Sequence, residues 1–216
     1  WYLSPLIGPT TKIFSFVAVV FALTSNPVFS AEGEVSKLKF YGGAGIGQSN
    51  LDSGISALTG TATLDEKDTA YKVMVGAQLN KFIALEGHYA DLGEVVLTGN
   101  NGDTFALDGS TFAFSANNTN VTTTSDSIGA AVIGIVPINK SFSAFAKVGF
   151  HRWKTSASAT SNAVNASVSE NGTDPFIGAG ISLNLSDSIS IRGEFERFNF
   201  DDEDYDLIST SLIFMF

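Results

Sequence analysis

The sequence predicts an all-β protein, an eight-stranded antiparallel up-and-down transmembrane β-barrel. Three observations carry this. Segments of about ten residues set apolar side chains on one face against small, polar or charged ones on the other, with the period of two that belongs to strands. The connections between these segments alternate long and short. An apolar run near the N-terminus has the length and flanks of a secretory signal, and no other stretch is long and apolar enough to cross a bilayer as a helix.

Residues 1–30 are expected to be an N-terminal extension and signal peptide. Lys12 supplies the positive region, IFSFVAVVFALTS the apolar one, and Val28 and Ser30 the small residues before cleavage near Ser30/Ala31. Residues 31–216 are expected to form the barrel domain. The first strand, 37–48, places Leu38, Phe40, Ala44 and Ile46 on one face. Lys39, Tyr41 and glycines 43, 45 and 47 take the other, which suits a narrow lumen. A polar loop follows at 49–67. The second strand, 69–80, sets Tyr71, Val73, Val75 and Ala77 against Lys72, Met74, Gly76 and Gln78. Asn80-Lys81 is a tight turn. In the third, 82–93, Ile83, Leu85, Gly87 and Tyr89 face out and Ala84, Glu86 and His88 face in.

The longest irregular stretch is expected at 94–122, within which VVLTG and TFALDG could extend strands beyond the bilayer. The fourth strand, 124–136, alternates least; Ile128, Ala130 and Val132 are assigned outward. After the turn Pro137–Lys140, the fifth strand, 142–154, turns Ala146, Val148 and Phe150 out and Phe145, Lys147, His151 and Trp153 in. A Ser/Ala/Asn-rich loop is expected over 156–173. The sixth strand, 175–185, sets Ile177, Ala179 and Ile181 against Phe176, Gly178, Gly180 and Ser182. Ser186-Asp187 is tight. The seventh strand opposes Ile189, Ile191 and Phe195 to Ser190, Arg192, Glu194 and Glu196. After an acidic turn at 199–204, the last strand ends on Phe214 and Phe216.

A soluble sandwich also alternates, with its apolar face in the core. Loop parity separates the two. All the even-numbered connections here are tight, and all but one of the odd-numbered ones are long. An outer-membrane barrel with both termini in the periplasm has short periplasmic turns and long external loops.

At LEGHY (85–89), FSAFAKVGFHRW (142–153) and the run from PFIGAGISLNLSDSISIRGEFERF to DLISTSLIFMF, the sequence resembles the OmpA-like transmembrane domain among small outer-membrane barrels. The resemblance implies residence in a Gram-negative outer membrane. It also implies that the terminal aromatic strand, ending at Phe216, is read by the barrel-assembly machinery. Carried over by position, Glu86, Lys147, Arg192 and Glu194 match lumen charges that form ion pairs in the family. Ile133 and Ser182 stand where the family has a lysine and an acid. No counterpart of the family's peptidoglycan-gripping second domain is expected within these residues.

Strand phase alone puts Lys39, Lys72, Glu86, Lys147, Arg192, Glu194 and Glu196 inside. The expected network is Lys72, Glu86, Lys147, Arg192 and Glu194, plugging the lumen because an isolated buried charge is costly. The alternative is a narrow, low-conductance ion or small-solute channel. A lipid A-modifying enzyme with His151 as base is a further alternative, but no G-x-S-x-G is present and no serine is placed beside that histidine. No catalytic, metal or cofactor site is assigned. Cysteine is absent, and the net charge of −10 excludes nucleic acid as a partner. Asp65, Glu66 and Asp68 and the run Asp201, Asp202, Glu203, Asp204 lack calcium-loop spacing and read as solvated charge. Tyr71, Tyr89, Phe150, Phe195, Phe214 and Phe216 are expected to form aromatic girdles at the water–lipid boundaries. The expected role is envelope integrity and display of loops 49–67, 94–122 and 156–173 by a monomer. Its partners would be membrane lipid and lipopolysaccharide, with host or phage surfaces meeting the loops.

Overall fold

A computed structural model describes residues 38–216 except 163, 164 and 202. The expected signal peptide and Asp202 lie outside the described residues. Strands run as β1 Lys39–Asp52, β2 Thr63–Asp65, β3 Lys67–Gln78, β4 Ile83–Gly99, β5 Thr104–Leu107, β6 Ser110–Ala113, β7 Thr119–Pro137, β8 Phe142–Thr160, β9 Asn165–Asn184, β10 Ile189–Phe200 and β11 Glu203–Met215. Among these, β1, β3, β4, β7, β8, β9, β10 and β11 pair each with the next, all antiparallel. The ring closes where β11 pairs with β1, from Tyr41↔Met215 to Asp52↔Asp204. Closure leaves no free backbone edge in the ring, which hydrocarbon demands.

The faces follow the alternation in the sequence. Val73, Val75, Leu85, Val132, Val148, Ile177, Ile181 and Ile208 stand exposed on the outer wall, while Lys72, Met74, Ala84, Glu86, Ile133, Lys147, Glu194 and Ile213 are buried in the lumen. Tyr71, Tyr89, Phe150, Phe195, Phe214 and Phe216 all point outward. Phe40, Phe82 and Phe142 are also exposed, close to the tight-turn end of the ring.

That end is closed by compact turns. Asn80 Oδ1 accepts from the N–H of Phe82 and of Ile83; Asn139 Oδ1 accepts from Ser141 and Phe142; Ser186 Oγ accepts from Ser188 and Ile189. The opposite end is taller than the loops expected there. Residues 94–122 are not one irregular stretch: β4 continues to Gly99, β5 and β6 form a small hairpin, and β7 starts at Thr119. Residues 156–160 and 165–173 are strand rather than loop, with β8 and β9 paired up to Thr160↔Asn165. β9 meets β10 only up to Phe176↔Phe198 and so rises above it on that side, while β7 stays paired with β8 up to Asn120↔Thr160. Serine, threonine and alanine here have water on both faces, and the chain keeps strand geometry without any alternation to announce it.

One irregularity sets the phase of the upper wall. Between Asp91 and Glu94 the register with β7 shifts, and an extra residue enters β4. Gly93 takes φ +75° there. Asp91 Oδ1 accepts from the Gly93 N–H at 3.0 Å and Asp68 Oδ2 from the Glu94 N–H at 2.9 Å. Below this bulge Ala90 and Leu92 are buried; above it Val95 and Leu97 are. A Cβ on Gly93 would lie 2.6 Å from Asp68 Oδ2, on a backbone that L-residues avoid. Gly93→Ala is expected to cost about 1–2 kcal/mol, read as a lower urea midpoint for the folded barrel in micelles.

Candidate functional site

The lumen is built in layers. Nearest the tight turns, Tyr41, Met74, Ala84, Ile133, Phe145 and Ile213 form an apolar cluster. Above it lie ionic side chains carried by β3, β4, β8 and β10. Lys72 Nζ contacts Glu194 Oε2 and Glu196 Oε2. Lys147 Nζ lies 3.3 Å from Glu86 Oε1, 3.1 Å from Glu194 Oε2 and 2.7 Å from Glu196 Oε1. Arg192 Nη1 lies 2.5 Å from Glu86 Oε2 and 3.1 Å from Glu194 Oε1. Tyr41 donates its hydroxyl to Glu86 Oε2 at 2.9 Å. The Arg192 guanidinium also sits over the Phe145 ring, 5.0 Å from its centroid.

Lys72, Lys147 and Arg192 thus meet Glu86, Glu194 and Glu196, one positive charge for each negative one. The five residues expected in the network are brought together, and Glu196 joins them. Strand phase already pointed Glu196 inward; what the sequence did not display was its register opposite Lys72 and Lys147. Lys39, also expected inside, is exposed at the tight-turn mouth and takes no part, because the lumen opens to water where β1 begins.

Above the ions lies an aromatic layer. The rings of Phe176 and Phe198 stack at 5.1 Å, and His88 and His151 meet both edge-on. Trp153 stacks on Phe200, which contacts Tyr205. Contrary to the expectation from sequence, a serine does lie beside His151: Ser127 Oγ is 2.9 Å from Nδ1. His151 Nε2 lies 2.9 Å from the Asn199 carbonyl, which can only accept, so Nε2 carries the proton and Nδ1 accepts from Ser127. Both residues are sealed, at 1% exposure each. No group of three or more potential metal ligands gathers among the described residues.

The sequence profile of the OmpA-like transmembrane domain matches residues 36–205. The chain belongs to the OmpA-like transmembrane domain family. Solved structures share the fold. The attachment invasion locus protein Ail of Yersinia pestis, in complex with the heparin analogue sucrose octasulfate, aligns at 15% identity over 83% of this chain and 99% of its own, with a TM-score of 0.54. A second structure of Ail aligns at 17% identity over 82% and 98%, with a TM-score of 0.53. Neisserial surface protein A aligns at 12% identity over 81% and 96%, with a TM-score of 0.49. No curated protein sequence matches the chain.

As an OmpA-like outer-membrane barrel, the chain crosses hydrocarbon with its outer wall, and its tight turns face the periplasm. The opposite rim is acidic. Lys67, Arg152, Lys154 and Arg197 are its basic side chains among the described residues, while Asp65, Glu66, Asp68, Glu94, Asp126 and Asp206 are only some of its acids. Two loops of this rim are stitched together. The Ser56 and Ala106 backbones exchange hydrogen bonds, the Thr59 N–H donates to the Thr104 carbonyl, and Thr61 Oγ1 donates to Asp103 Oδ2 at 2.6 Å. The Thr61 hydroxyl, then the Asn100 N–H, hold the Asp103 carboxyl below the usual range. A depressed folded value means that this contribution is present above the ordinary aspartate range and lost as pH falls through the lowered one. Amide protection at Ser56, Thr59 and Ala106 is expected to drop, relative to wall amides, once pH falls below about 4. Asp103→Asn should show the drop already at neutral pH.

Proposed function

We propose that this protein is a structural outer-membrane barrel with a plugged lumen, whose work is done at its extracellular rim. It supports the envelope and presents a raised sheet for surface contact. The observation that carries the sealed lumen is the burial of its ionic layer: the side chains of Lys72, Glu86, Lys147, Glu194 and Glu196 are at most 1% exposed. An eight-stranded interior is just wide enough for side chains to fill it. A charge so buried is stable only when paired, and pairing leaves no free charge to conduct an ion past. In a planar bilayer the protein is expected to give negligible or very small single-channel steps. Large, steady steps would overturn this reading in favour of the narrow channel.

The rim chemistry favours a cation-bridged surface. Its acids suit contact with anionic lipopolysaccharide through divalent ions rather than direct binding of a polyanion such as the heparin analogue bound by Ail. Heparin resin is therefore expected not to retain the protein at physiological ionic strength. The sealed Ser127–His151 pair has no route to a substrate, which supports a non-enzymatic role. Lipid A should have the same mass spectrum with and without the protein. In this reading the exposed Phe216, whose backbone pairs with Phe40 at the seam, ends the strand that the assembly machinery reads.

A further inference from the structure

The tight-turn end of the lumen is not filled. A cavity of about 490 Å³ opens there toward the periplasm, and Tyr41, Phe145 and Arg192 are among the side chains around it. Its mouth is basic. Lys39 stands where β1 begins, Lys81 in the turn before β4, and Lys140 in the turn before β8; Asp187 is the one acid among the described lining residues. This sign is opposite to that of the whole chain, whose net charge is −10. Hydroxyl donors from Ser141, Ser143 and Ser190 line the same space. Arg192, 11% exposed, spends Nη1 on Glu86 and Glu194, while its Nε has no hydrogen-bond acceptor. A guanidinium offers five donors in a fixed fork, so the network leaves this one with capacity to spare.

We infer that this periplasmic vestibule is a binding site for a phosphate-class oxyanion, held by the lysines at the mouth, the serine hydroxyls and the free side of Arg192. Cations from separate strands and turns with hydroxyls between them match the several acceptor oxygens of such a group. The anion could be free phosphate or the phosphodiester of a phospholipid in the inner leaflet, since the mouth opens at headgroup level. The inference concerns the end of the lumen away from the rim and does not depend on whether the lumen conducts.

The test uses the full barrel in zwitterionic nanodiscs, titrated with inorganic phosphate, and in parallel in nanodiscs containing phosphatidylglycerol. The wild type is expected to bind phosphate saturably, or to enrich phosphatidylglycerol around it if the headgroup is the source. Lys39→Gln/Lys81→Gln/Lys140→Gln, altered outside the ionic layer, should weaken whichever signal is seen at least tenfold. It should keep the heat-shifted mobility of a folded barrel. Asp187→Asn should strengthen that signal. Absence of both signals, a non-saturating response that merely tracks ionic strength, or equal binding by the folded triple variant would overturn the inference.

Discussion

Lys147→Met is expected to destabilise the folded barrel by about 3–5 kcal/mol, the usual result of removing one partner from a buried ionic group. The lysine is fully buried and lies within 3.3 Å of carboxylate oxygens from Glu86, Glu194 and Glu196. Methionine comes close to its volume and restores none of its charge. Lys72 and Arg192 are then left against three carboxylates, and the excess negative charge has no water to turn to. Adding Glu196→Gln should return most of the loss. Lys72 then keeps Glu194, and Arg192 keeps Glu86 and Glu194, so every remaining charge has a partner. Urea titration in lipid vesicles, read by the mobility of unheated samples, measures both variants. A single variant as stable as the parent, or a double variant no better than the single one, would show that the layer is not electrostatically coupled.

Val73→Arg is expected to cost about 2–4 kcal/mol, or to prevent insertion, whereas Val168→Arg should change stability by less than about 0.5 kcal/mol. The two valines are almost equally exposed, at 53% and 58%. What differs is the medium. Val73 stands on the outer wall beside Tyr71 and Val75 and faces hydrocarbon; Val168 sits on the part of β9 that rises above β10, in water. In a soluble protein the pair would respond alike. Equal effects in the same vesicle titration would contradict the placement of the wall in lipid.

The wall was readable where lipid lay on one side and a packed lumen on the other. Along 71–78 these two media force the side chains into strict alternation, and the phase read there set Lys72 inward correctly. The same reasoning failed above the membrane. Along 156–160 and 165–173 both faces meet water, so nothing in the residue types separates strand from loop. At Gly93 the added residue reverses the phase, and the alternation that held through His88 no longer continues to Val95. The ionic layer was partly legible, since phase alone named its members. Their contacts depend on register between strands far apart in the chain: Glu194 and Glu196 reach Lys72 across 122 and 124 positions. Ser127 stayed unseen beside His151 because β7 carries small or apolar residues on both faces, and its phase was the weakest of all.

The added residue at Gly93 also sets which change of length β4 can absorb. Below it β4 buries even-numbered side chains, and above it odd-numbered ones. Deleting Gly93 would join Leu92 directly to Glu94, so Val95 and Leu97 would still face the bore along a regular strand. Straightened with the residue kept, the bend would instead rotate Val95 and Leu97 out of the bore and swing Glu94 and Val96 into it. Crown and stave therefore keep their facings when one residue is removed at this kink, and lose them when the bend alone is lost.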